Sequence, residues 1–278
     1  MNKLGLIAGG GDLPLEIARA CAAAGRPYHV IRLRGMAGPA LRDHPGDDVG
    51  LAQLGLCFKR LKAAECRSVC FAGNVARPDF AALKPDARGL MALPGLIAAA
   101  RKGDDALLRG LLAEFEKEGF AIEGAEAAAG RLRLPVGPLG RHAPNEDTAR
   151  DVAQALMVAR EIGRLDIGQG AVVCDGLVLA VEAQEGTDEM LRRVARLPAA
   201  LRGAPGAPRG VLAKAPKPIQ ETRVDLPTIG LETLERLAEA GLAGVAGEAG
   251  RLLVLDREAV IARADALGLF ILGVEPSS

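Results

Sequence analysis

Apolar positions along the first hundred residues fall into two alternating patterns. LGLIA (4–8), YHVIRL (28–33) and SVCFAG (68–73) are short apolar runs that predict buried strands. Between them, LPLEIARACAAAG (13–25) and AQLGLCFKRLKAAEC (52–66) repeat apolar residues at helical spacing. This βαβ alternation predicts a parallel sheet with helices on its faces, a Rossmann-like α/β domain. GDDALLRGLLAEFEKEG (103–119) adds a strongly periodic helix, with Asp104 or Asp105 expected as its N-cap.

The pattern then fades. Residues 119–145 are rich in glycine and proline and only weakly periodic, the best place for a boundary. The expected domains are 1–130 and 131–278. In the second, TARDVAQALMVAREIGRL (148–165) predicts a long helix, and GAVVCDGLVLAVEA (170–183) a hairpin turning at Asp175-Gly176. GTDEMLRRVARL (186–197) is helical, GVLAK (210–214) is a strand, and 231–273 supplies two more helices among apolar runs. Residues 131–278 therefore predict an α+β domain with a mixed sheet.

Charge and composition narrow the chemistry. There are 35 basic and 35 acidic residues, so no basic field invites nucleic acid. Without Trp and with a single Tyr, stacking platforms for bases are missing as well. Five cysteines without a CxxC pair read as small buried hydrophobes. Three scattered histidines offer no zinc spacing, so a working metal would be held by carboxylates and phosphates, which means magnesium or manganese. The opening apolar run is too short for a signal peptide. LMALPGLIAAA (90–100) falls short of the roughly 18–20 residues of a spanning helix and contains Pro94 and Gly95. A cytoplasmic protein is expected, with peripheral contact to a membrane or lipid left open.

Four stretches place glycine or polar side chains at strand ends. In AGGGDLP (8–14), the backbone of Gly10 and Gly11 can approach a phosphate or sugar ahead of a helix N-terminus. Pro14 occupies the third slot of the dinucleotide fingerprint and no acid ends YHVIRL, so NAD is a weak reading. The competing view is a tight turn capped by Asp12. In AGNVARP (72–78), Asn74 follows a strand, as a ligand donor or as a plain turn residue. In VEAQEGTDEMLRR (181–193), Glu182 and Glu185 leave a strand and Thr187-Asp188 open a helix, Thr187 either capping it or facing a ligand. KAPKPIQETRVDLPTIG (214–230) is held extended by its prolines. Its polar residues Lys214, Lys217, Gln220, Arg223 and Asp225 can then line a cleft, the cations suited to phosphate oxygens and the acid to a divalent ion or a water. A solvated strand with an Arg223–Asp225 pair is the plainer alternative.

Taken in order, LGLIAGGGDLP, GNVARPDF, GDDALLRGLLAEFEKEGF, DIGQGAVV, VLAVEAQEGTDEMLRR and KAPKPIQETRVDLPTIG closely resemble the LpxI family of UDP-2,3-diacylglucosamine pyrophosphatases. The resemblance spans nearly the whole chain; Glu221 departs from it, where aspartate is expected after the glutamine. It implies two domains with the active site between them. It also implies hydrolysis of UDP-2,3-diacylglucosamine to 2,3-diacylglucosamine 1-phosphate (lipid X) and UMP in lipid A synthesis, with Mg2+ required and water attacking the sugar-side phosphorus. Asp225 is then the essential acid, and Asp225 and Asp188 are the metal candidates. Gly10, Gly11, Asp12, Asn74, Gln169, Thr187, Lys214, Lys217, Gln220 and Arg223 are the substrate-binding candidates. Peripheral contact would be with the inner membrane. A lipid-nucleotide transferase and a non-catalytic sensor of the same lipid are the alternatives.

Overall fold

Alternating apolar strands and amphipathic helices build the N-terminal half as their spacing predicts. The computed structural model describes residues 2–75, 79–204, 206–217 and 226–276, and among these the chain divides after Gly130 into two compact units. The first contains β1 (Leu4–Ala8), α1 (Leu13–Ala23), β2 (Tyr28–Leu33), β3 (Gly46–Val49), α2 (Leu54–Ala63) and β4 (Ser68–Ala72). It continues with α3 (Ala87–Ala100), α4 (Asp104–Lys117), β5 (Ala121–Ile122) and α5 (Ala125–Ala128). All five strands are parallel, in the order β3-β2-β1-β4-β5. Strand order therefore reverses direction at β1 and β4, the switch point where open α/β sheets bind ligands.

Period-two alternation decides which helix each strand residue meets. Ile7, Ile31 and Val69 face Phe58 and Leu61 of α2 and Phe115 of α4. The rings of Phe58 and Phe71 each meet Phe115 edge-on at 4.9 Å, the geometry favoured by aromatic quadrupoles. Their neighbours Leu6, Val30 and Cys70 are fully buried on the other face, where α1 and α5 pack.

The short elements β3, β5 and α5, the helix α3 and the cap of α4 depart from the sequence pattern. Helix α3 lies where apolar residues are too uniform, and too mixed with Gly89, Pro94 and Gly95, for a helical period to show. Helix α4 begins after Gly103, which at φ 127 and ψ 169 stands at the cap position in a non-helical conformation. Asp105 sits inside the helix instead and pairs with Arg109 at 2.8 Å.

The second unit runs β6 (Gly137–Pro138), α6 (Glu146–Arg164), β7 (Gly170–Cys174), β8 (Leu177–Val181), α7 (Gly186–Ala195) and α8 (Ala199–Arg202). After the small hairpin β9 (Gly203–Ala204) and β10 (Ala207–Pro208) come β11 (Val211–Lys214), β12 (Thr228–Ile229) and α9 (Leu231–Glu239). It ends with β13 (Gly244–Glu248), β14 (Leu253–Val254), α10 (Arg257–Leu267) and β15 (Phe270–Val274). The main sheet has the order β6-β15-β13-β11-β7-β8 and is mixed: β11, β13 and β15 run parallel, while β6, β7 and β8 each pair antiparallel with their neighbours. Val172, Leu212, Val245 and Ile271 pack on α7, α9 and α10. Val173, Val211, Ala246 and Phe270 turn the other way onto Val152, Ala155 and Leu156 of α6.

The β7–β8 turn carries Asp175 at φ 50 and Gly176 at φ 77, the two positive φ values of the expected type I′ hairpin. Its anchor comes from α6. Asp151 is buried and accepts the backbone N–H groups of Asp175 at 2.9 Å and Gly176 at 2.8 Å. Asp151→Ala removes both acceptors from an exposed turn where water can partly replace them, and should cost about 1–2 kcal/mol in urea unfolding, with Asp151→Asn costing less because one acceptor survives. A loss within error of zero for Asp151→Ala would show that the turn holds itself.

Candidate active site

Gly9, Gly10 and Gly11 leave the C-terminal end of β1, and Gly73 and Asn74 leave that of β4, so both loops emerge at the switch point. They are joined there by paired backbone bonds, Gly10 N–H to the Asn74 carbonyl and Asn74 N–H to the Gly10 carbonyl, both 2.9 Å. The approach is close enough to require glycine: Gly73 has φ 88, and a Cβ on it would lie 2.4 Å from the Gly10 carbonyl oxygen. Gly11, Asp12 and Asn74 remain exposed at the start of α1. Asp12 stands at the cap position without a side-chain cap bond, and Pro14 fills the first turn. The N–H groups of that turn can receive an anion.

The second unit gathers three candidates, Thr187, Asp188 and Gln169, around a fourth, one buried lysine. Every residue of β11 is buried, including Lys214 at its end, which is only 5% exposed. Its Nζ donates to Thr187 Oγ1 at 2.8 Å and to the Thr228 carbonyl at 3.1 Å. Thr187 is not the cap of α7; it lies within the first turn, after Glu185 in the cap position. Its hydroxyl, having accepted from Lys214, donates to Glu182 Oε1 at 3.1 Å. Lysine, hydroxyl and carboxylate thus form one relay, with Asp188 the next residue along the helix.

Glu182, named in its stretch but not among the site candidates, joins this cluster. It is buried, its N–H donates to the Gly170 carbonyl at 2.8 Å, and its Oε2 has no hydrogen-bond partner among the described residues. The glycines around Gln169 are shaped by it. A Cβ on Gly168 would lie 1.9 Å from the Glu182 carbonyl oxygen, and one on Gly170 would lie 2.5 Å from Oε2. Gln169 is held by its own carbonyl, which accepts from Ala215 N–H at 2.9 Å, and its side-chain Oε1 is likewise buried without a partner. The available signal was a glycine-flanked glutamine together with an acid just past an apolar strand.

Lys217 pairs with Asp166 at 2.8 Å. Gln220, Arg223 and Asp225 lie outside the described residues. No three His, Cys, Asp or Glu side chains converge as a metal cage among the described residues. Magnesium does not require one, since one or two carboxylates plus substrate phosphates and water complete its shell. The unpartnered oxygens of Glu182 and Gln169 and the carboxylate of Asp188 are hard donors of the kind it takes, so the residues present fit such an ion.

Comparison with known proteins agrees with this two-part layout. Residues 3–132 match the LpxI N-terminal domain and residues 135–272 the LpxI C-terminal domain. Over 276 residues the chain is 68% identical to a protein of Caulobacter vibrioides named UDP-2,3-diacylglucosamine pyrophosphatase LpxI, covering 99% of each chain.

Burial holds the Asp188 carboxyl above its ordinary value of 3.8, with Glu232 adding to the rise and Lys214, Arg192 and Arg236 opposing it. The folded state then binds this proton more tightly than the unfolded chain, so ionising Asp188 costs stability as pH rises past 3.8 through the raised value. Asp188→Asn should therefore raise the thermal midpoint at pH 7, and the advantage should shrink as pH is lowered toward the unfolded value. A variant no more stable than the parent at pH 7 would contradict this sign.

Proposed function

The chain belongs to the LpxI family, and from that premise we propose how its residues act. It is a hydrolase of UDP-2,3-diacylglucosamine in lipid A biosynthesis. The observation that carries this reading is the 68% identity to the Caulobacter pyrophosphatase over 99% of both chains. The products are 2,3-diacylglucosamine 1-phosphate and UMP. Water attacks the sugar-side phosphorus; its oxygen forms the new P–O bond as the bond to the bridging oxygen breaks, and that oxygen leaves with UMP.

Asp225 takes the proton of the attacking water and is the essential acid. Lys214 supplies a positive charge that is fixed before substrate arrives, because Thr187 and the Thr228 carbonyl already hold its ammonium. A preset charge needs no reorganisation as negative charge shifts between the phosphates, which is where electrostatic catalysis gains most. Glu182 acts through Thr187, turning that hydroxyl so that its lone pairs face Lys214. Arg223, Lys217 and Gln220 contact phosphate and neighbouring hydroxyls. In the first unit Gly10 and Gly11 offer backbone N–H groups at the start of α1, with Asp12 and Asn74 beside them; in the second, Gln169 and Thr187 are the substrate-binding candidates. Asp188 and Asp225 would hold Mg2+, or Mn2+ in its place, which when bound neutralises phosphate charge.

One assay tests this. Protein, Mg2+ and UDP-2,3-diacylglucosamine in ¹⁸O water should yield UMP with no acceptor but water, and the label should enter 2,3-diacylglucosamine 1-phosphate. EDTA should stop the reaction and Mg2+ restore it. Asp225→Ala should fold normally and lose roughly a thousandfold or more in rate. Label in UMP would place attack on the other phosphorus, turnover in EDTA would remove the metal, and near-parental turnover of Asp225→Ala would remove the acid.

A further inference from the structure

Helix α3 is packed inside out. It buries its small residues Gly89, Ala92 and Ala100, while Leu90 and Met91 are 61% and 77% exposed. Pro94 and Ala98 extend the exposed face along the same side. Beside it, Leu90, Leu93, Pro94, Ile97, Ala98 and Arg101 line an open groove of about 370 Å³. A helix that faced only water would gain by the reverse arrangement, because burying a large apolar side chain is worth more than burying a methyl group. Contiguous exposed apolar surface of this kind marks a contact site.

Charge identifies the occupant. Residues 87–102 contain no acid, and exposed Lys84, Arg101 and Lys102 flank the two ends of the helix. Past Lys102, Asp105 is paired with Arg109 at 2.8 Å, and the acids that meet the helix itself lie on its packed side. Asp86 accepts the N–H groups of Gly89 and Leu56, each at 2.8 Å, and Glu114 and Glu118 bind Arg88 at 2.6 and 3.4 Å. An apolar strip flanked by cations and cleared of acid matches the interface of an anionic bilayer, where apolar side chains enter the acyl boundary and cations meet phosphates. The helix has 14 residues, and no described helix is long and apolar enough to cross a membrane, so α3 would lie in the interface plane.

We propose that the exposed face of α3 docks the protein on an anionic lipid surface. The inference rests on the hydrolase reading, since a diacylated substrate resides in a membrane and an enzyme held there meets it by diffusion in the plane.

The test uses the full chain with vesicles of phosphatidylcholine alone and vesicles enriched in phosphatidylglycerol. The parent protein should co-sediment with the anionic vesicles, more weakly at high salt. Arg101→Gln with Lys102→Gln should weaken binding about 25-fold, about fivefold per cation. Leu90→Ser with Met91→Ser should weaken it at least tenfold without lowering the thermal midpoint. Both variants should lose turnover on substrate presented in vesicles and keep it on substrate dispersed in detergent. Failure of the parent to bind, or equal binding by the variants, would overturn the proposal. Lost turnover in detergent would overturn it too, making the face part of a substrate slot. So would a changed oligomeric mass, making it a contact between copies. If the parent showed no turnover in detergent, the hydrolase reading would fall while the binding result still stood.

Discussion

Lys214 places a positive charge at the end of a strand buried along its whole length, and much of the second unit is arranged around that charge. Removing an ammonium from water costs several kcal/mol unless partners replace the lost hydration. Its partners here include a hydroxyl, a carbonyl and, one step behind the hydroxyl, the carboxylate of Glu182. Each imposes a local condition. Thr187 must lie in the first turn of α7, β12 must bring the Thr228 carbonyl within 3.1 Å, and the chain must narrow to glycine at 168 and 170 so that Glu182 fits. Even so, Glu182 Oε2 and Gln169 Oε1 stay unpartnered among the described residues. Native interiors rarely tolerate such groups, and an ordered water, an ion or a polar ligand would complete them.

The first unit meets a different constraint. At its switch point the loops after β1 and β4 would diverge, yet Gly10 and Asn74 are tied by two backbone bonds. That tie fixes where α1 begins and keeps its opening N–H groups together with exposed Gly11, Asp12 and Asn74. A rigid backbone platform of this kind suits a substrate rich in phosphate oxygens.

How much of this the sequence discloses depends on how local the cause is. The Asp175-Gly176 turn is legible because both positive φ values come from the two residues themselves. The βαβ order of the first unit is legible because each element carries its own period. Helix α3 was hidden by uniform apolarity, and the cap of α4 by two aspartates that resemble a cap better than Gly103 does. Thr187 and Lys214 are candidates from their polar stretches at strand ends and Gln169 only through family resemblance, and nothing in the residue pattern joins the three. Their relation to Glu182 spans three strands and a helix, a three-dimensional fact with only a glycine-flanked glutamine to betray it.

Glu182 is proposed to act on the reaction by positioning Thr187 against Lys214. Measuring kcat/KM for Glu182→Gln, Lys214→Met and the double variant tests it most directly. Each single change should lower kcat/KM by about a hundredfold, and the double variant should be no worse than Lys214→Met alone, because a positioning carboxylate has nothing left to position. If the two losses instead multiply, Glu182 and Lys214 act independently and the relay is a packing arrangement without a catalytic role.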